Sequence, residues 1–160
     1  MKVFKTPRRR AREFAVQGIY QSMLNPDYSY REISKNIRES EEFIRVMEQK
    51  KKPQVDENFF DALILGVMTN KVKYAELISP LLDRNEEDIS PTEYAVLFVA
   101  CHELAGMPEI PYPVIINEAV EIEKTFGGTE GYKFVNGILD KLATQLRPND
   151  PDYRNSRHDF

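Results

Sequence analysis

Apolar positions along this chain recur at spacings of three and four residues, and no stretch alternates as a half-buried strand would. Thr6 followed by Pro7 reads as a helix start: a hydroxyl to cap the first turn, then a proline where no amide is needed. Ala11, Phe14, Ala15, Gly18 and Ile19 form the apolar stripe behind it, and Asn25, Pro26 and Asp27 break it. Ser29 and Glu32 have the spacing of a capping box, in which each side chain accepts the other residue's backbone N–H. Beyond that box, Ile33, Ile37, Ile44 and Met47 fall close to one face, and the lysine-rich run from Gln49 to Pro53 reads as a solvated linker.

Asp56 is placed to cap the next helix, where Phe60, Ile64, Val67, Lys71, Tyr74 and Ile78 keep helical spacing with a break expected near Asn70. Ser90-Pro91-Thr92-Glu93 is the strongest start signal in the chain, combining a serine cap, a proline and a glutamate at the third position. Tyr94, Leu97, Phe98, Cys101 and Leu104 make its apolar face, and Gly106 with Pro108 ends it. Pro111-Tyr112-Pro113 opens a helix carrying Ile116, Ala119, Ile122 and Phe126, stopped by Gly127 and Gly128. Val135, Ile138, Leu139, Leu142 and Leu146 mark a last helix before Arg147 and Pro148. Six or seven helices with short connections predict an all-α bundle over residues 1–148. The polar segment 149–160 is expected to be a disordered tail.

A chain of 160 residues, 41% hydrophobic and 30% charged, can bury a core without disulfides or a structural metal. One cysteine and two histidines exclude a disulfide framework and the standard zinc sites. No apolar run approaches the roughly 20 residues that span a bilayer. The basic start has no apolar segment of the secretory type behind it, so a cytoplasmic location is expected. The net charge of −4 is unevenly spread. Residues 1–12 hold Lys2, Lys5, Arg8, Arg9, Arg10 and Arg12 and no acid, which leaves −10 for the remainder. The body would repel a polyanion, whereas the basic end would attract one.

Candidate chemistry is sparse. Cys101 and His102 are neighbours on a helix, so their side chains diverge by about 100° and cannot act as nucleophile and base together. Cys101 also falls on the apolar stripe, where a small thiol suits a core. No catalytic residue, metal or cofactor is expected. The arginines are different, because a helix N-terminus is partially positive and each nearby cation costs about 0.3–1 kcal/mol there. Nothing local explains Arg8, Arg9, Arg10 and Arg12 in the first two turns. A phosphate-binding platform would explain them, as would a merely solubilising end. Tyr20 lies off the first stripe and is a candidate surface contact. Around the glycine pair, Phe126, Tyr132, Lys133 and Phe134 bring aromatic and basic groups together; Phe126 continues its helix's apolar period and is expected in the core.

Three segments resemble one known family. Residues 8–20, from Arg8-Arg9-Arg10-Ala11-Arg12 to Tyr20, are similar to the opening helix of the NusB transcription antitermination family. Residues 111–121, beginning Pro111-Tyr112-Pro113, and residues 133–142, beginning Lys133-Phe134-Val135-Asn136-Gly137, resemble its second and third signatures in the same order. The resemblance implies two packed helical subdomains and a non-catalytic RNA-binding role. It further implies pairing with NusE, a ribosomal small-subunit protein, binding of the boxA element in ribosomal RNA leaders, and action within the RNA polymerase antitermination complex. By the same resemblance Arg8, Arg9, Arg10, Arg12, Lys133 and Phe134 would face RNA, Glu130 would stand at the rim of that surface, and Tyr20 and Glu93 would face NusE. Gly131 departs from the serine often found there. Two other readings stay open: a protein-interaction adaptor without RNA binding, and a stand-alone relative of the RNA-targeting domain of ribosomal RNA methyltransferases.

Overall fold

Thr6 does cap the first helix: its hydroxyl accepts the Arg9 amide at 3.0 Å, and α1 runs Pro7–Leu24. In this computed structural model residues 5–49, 54–127 and 130–150 are described, and among them every regular element is helical. The elements are α2 (Tyr30–Arg38), α3 (Glu41–Met47), α4 (Glu57–Ile78), α5 (Pro91–Gly106), α6 (Tyr112–Phe126) and α7 (Gly131–Leu146), with two short 3₁₀ turns between α4 and α5.

Both capping boxes form with both of their hydrogen bonds. The face expected from Ile33 to Met47 does not form, because the chain breaks at Ser40, whose hydroxyl caps a separate helix α3. That reorientation buries Phe43 in place of Ile44 and Met47, which are exposed. Phe43 then meets Phe14 of α1 at 4.9 Å and Phe60 of α4 at 6.1 Å, joining three helices. Asn70 interrupts α4 with non-helical backbone, as the pattern suggested. Of the linker from Gln49 to Pro53, Gln49 is exposed and residues 50–53 lie outside the described residues.

Helices α1 to α4 pack together, as do α5 to α7, and α5 is shared: it lies against α1, α4, α6 and α7. Accordingly it is buried around its whole circumference, with every residue from Ala95 to Cys101 in the core. Gly18 permits the close approach of α1, since a β-carbon there would stand 2.5 Å from Ile64 and 3.0 Å from Ile33. Arg147, read from sequence as no more than part of a stop, closes the far end of α5. Its guanidinium donates to the carbonyls of Leu104 (2.7 Å), Ile110 (3.0 Å), Glu103 (3.1 Å) and Met107 (2.9 Å). Asp150 pairs with it at 2.9 Å, so the packed chain extends past 148; the rest of the expected tail, 151–160, lies outside the described residues.

Candidate nucleic-acid interface

The first turns of α1 meet the start of α4 and the middle of α6. An amide of Asp56 donates to the Pro7 carbonyl at 3.1 Å, which fixes the two helix starts side by side. Acidic groups from those neighbours answer the arginines that looked unexplained. Arg8 lies 3.5 Å from Asp56 and stacks over the Phe59 ring at 4.4 Å, with about half of its side chain exposed. Arg9 donates to Glu118. Arg10 donates to the Gln54 amide oxygen at 2.6 Å, a neutral partner that leaves its charge uncompensated at that contact.

Arg12 is placed differently from its neighbours. It is 3% exposed and binds Glu103 through Nε (3.0 and 3.1 Å) and Nη2 (2.8 Å), with Glu118 at 3.8 Å and Phe59 beneath its guanidinium. Burial pushes the Glu103 carboxyl up, and the Arg12 charge opposes that shift. The arginines are therefore not one platform: Arg12 faces inward, and Arg8, Arg9 and Arg10 remain at the surface. Glu118 of α6 is the acid held by Arg9 and Arg12.

The second group lies elsewhere. A β-carbon on Gly131 would come 3.4 Å from a Glu93 carboxylate oxygen, so the start of α7 abuts the start of α5. Glu93 and Glu103 are ten residues apart on α5, about 15 Å along its axis. Lys133 is exposed and pairs with Glu130 at 3.2 Å. Phe134 is in the core, and Phe126 is at the surface, reversing the expectation for that pair of rings. Phe126 shares its exposure with the rest of the last turn of α6, Lys124 and Thr125. What covers Phe134 is Arg84, 4.0 Å from the ring centre, a residue with no distinguishing sequence context.

Tyr20 is 37% exposed on α1. Glu93 is mostly buried and accepts the Ser90 amide at 3.1 Å. Beside it Glu123 is fully buried with one carboxylate oxygen unpaired, and its side chain fills the space over Gly127 and Gly131. Burial, and then the Glu93 charge, push the Glu123 carboxyl up to about 7. Cys101 is buried, its thiol pushed up to about 12 by desolvation, while the His102 ring hydrogen-bonds the Tyr74 hydroxyl at 2.7 Å. The two do not form a nucleophile–base pair. Among the described residues no cluster of metal-ligating side chains is present, and no helix is long and apolar enough to cross a membrane.

Comparison with known proteins gives one answer at each level. The family model described as the NusB family matches residues 9–144. The transcription antitermination protein NusB of Neisseria gonorrhoeae is 56% identical over 150 residues, covering 94% of this chain and 99% of that protein. Its counterpart in Chromobacterium violaceum is 50% identical over 143 residues, covering 89% and 90%. The solved structure of T. maritima NusB aligns with a TM-score of 0.70 at 30% identity, over 88% of this chain and 93% of that one.

Proposed function

This chain belongs to the NusB family, and from that premise we propose that it is a non-catalytic antitermination factor that binds single-stranded RNA through the start of α1. The RNA is boxA-type leader RNA, and the protein partner is NusE. The pair acts with RNA polymerase in the cytoplasm, within the antitermination complex. The observation that carries this reading is the arrangement of Arg8, Arg9 and Arg10 on one helix end. Neighbouring acids hold two of them in place, and Arg10 keeps its charge against a neutral amide. Guanidinium groups so oriented suit phosphate contacts and stacking on bases.

Lys133 extends the RNA surface to the start of α7, while Phe134, buried beneath Arg84, supports that end of it from within. In this role Arg84 and Lys133 supply cations, and Glu130 lowers the pull on phosphate at the rim. Arg12 contributes by fixing α1 on α5. Tyr20 and Glu93 face NusE, where a basic side chain of a ribosomal protein would meet the Glu93 carboxylate. The test is RNA binding by this protein alone and with NusE. Tighter binding by the pair, lost when Arg8, Arg9 and Arg10 become alanine, supports the reading; NusE binding without any RNA affinity favours the adaptor.

A further inference from the structure

Beside the arginines lies a groove of about 590 Å³, between the first turn of α1, the cap of α4 and the turn into α6. One wall is apolar, made by Ile110, Pro111 and the half-exposed Val114. Most of the remaining lining is charged. Arg8 belongs to it, with its guanidinium laid on Phe59, as do Asp56 and Glu118, both engaged by arginines. Glu109 also lines the groove, is exposed, and has no hydrogen bond or ion pair among the described residues.

Arg8 and Arg12 offset Asp56 and Glu118 in this lining, and the exposed Glu109 carboxylate is left as the unpaired charge, which disfavours a phosphate. The lining suits a flat ring with apolar faces and an edge rich in N–H groups. We propose that this groove holds one unpaired base of the bound RNA and that Glu109 reads its edge, favouring guanine. Unpaired bases are commonly recognised by stacking combined with hydrogen bonds to the pairing edge. Guanine alone presents an imino and an amino hydrogen side by side, matching the two oxygens of one carboxylate. Cytosine and adenine offer a single amino group on that edge, and uracil a single imino hydrogen. The volume lies within the range of small-ligand sites, and Arg8 supplies a guanidinium plane for the ring face. The N–H edge of Arg8, with Arg9 and Arg10, then takes the flanking phosphates.

The inference rests on the RNA-binding reading, and one experiment separates the two. Short single-stranded RNAs carry one guanine, moved through each position of a uridine strand, and the same RNAs carry inosine, which lacks the amino group. Fluorescence anisotropy with the full chain gives Kd for each. At one position guanine should bind about five- to a hundred-fold tighter than inosine. Glu109→Gln should erase that preference while leaving the salt dependence of binding unchanged. Equal affinities for guanine and inosine at every position, or a preference that survives Glu109→Gln, overturn the base site. If the triple arginine variant still weakens binding in that case, the RNA reading stands alone. Absence of arginine-dependent binding to every RNA overturns both.

Discussion

Arg12 and Glu103, 91 positions apart in sequence, meet inside the protein through three hydrogen-bond contacts of 2.8–3.1 Å. The pair joins α1 to the end of α5 and turns one member of the basic cluster into an internal strut. Arg12→Met should leave Glu103 buried without its cation and cost about 3–5 kcal/mol in urea unfolding. Replacing both residues by methionine should cost far less, since neither charge is then stranded. Arg9→Ala, at a partly exposed pair, should cost no more than about 1 kcal/mol. Equal losses in Arg12→Met and Arg9→Ala would contradict this division.

Arg147 gives a second stability test. Four carbonyls at and beyond the end of α5 share its guanidinium. A lysine carries three donors on one nitrogen and cannot reach four acceptors spread in a plane. Arg147→Lys should therefore destabilise by about 3 kcal/mol, close to the cost of several buried carbonyls left unpaired. A melt within the error of the parent would show that the carbonyls find other donors.

Much of the architecture was legible before folding was considered. Thr6, Ser29, Asp56 and Ser90 each announce a helix start through local hydrogen bonding, and each does cap one. Local signals fail where a tertiary neighbour decides. The apolar spacing runs through Ser40, and packing of Phe43 between Phe14 and Phe60 accompanies the break that its cap makes there. The arginine cluster was legible as an anomaly, whereas its resolution was not, because Glu103 and Glu118 lie some hundred residues away. Phe134 under Arg84 is hidden from sequence for the same reason.

Glu123 should make stability depend on pH. Its carboxyl titrates near 7 when folded, against 4.5 for an ordinary glutamate, so the folded chain holds the proton more tightly than the unfolded one. Stability then falls as pH rises from about 4.5 through about 7, and the full cost is present above that range. The loss between pH 5 and pH 8 should be on the order of 2 kcal/mol. Glu123→Gln should flatten this part of the profile and exceed the parent in stability at pH 8. Urea unfolding of both proteins across the range checks it, and parallel profiles would exclude Glu123 as the source.

Glu93 combines a cap with the proposed NusE contact, and the two roles separate in Glu93→Gln. Glutamine can still accept the Ser90 amide, so the thermal melt should move little. Loss of the charge should weaken NusE binding by about 2 kcal/mol or more if an ion pair is buried there. Titration of NusE against both proteins measures it; unchanged affinity would leave Glu93 as a cap.

The salt dependence of RNA binding tests the central claim most directly. Each single-strand phosphate neutralised contributes a slope of about −0.7 in log K against log salt. With Arg12 internal, Arg8, Arg9 and Arg10 should account for a slope of about −2. Changing those three to alanine should flatten the slope by that amount while the helical circular dichroism signal is retained. A folded triple variant with the parent's slope would contradict the assignment of the RNA site to the start of α1.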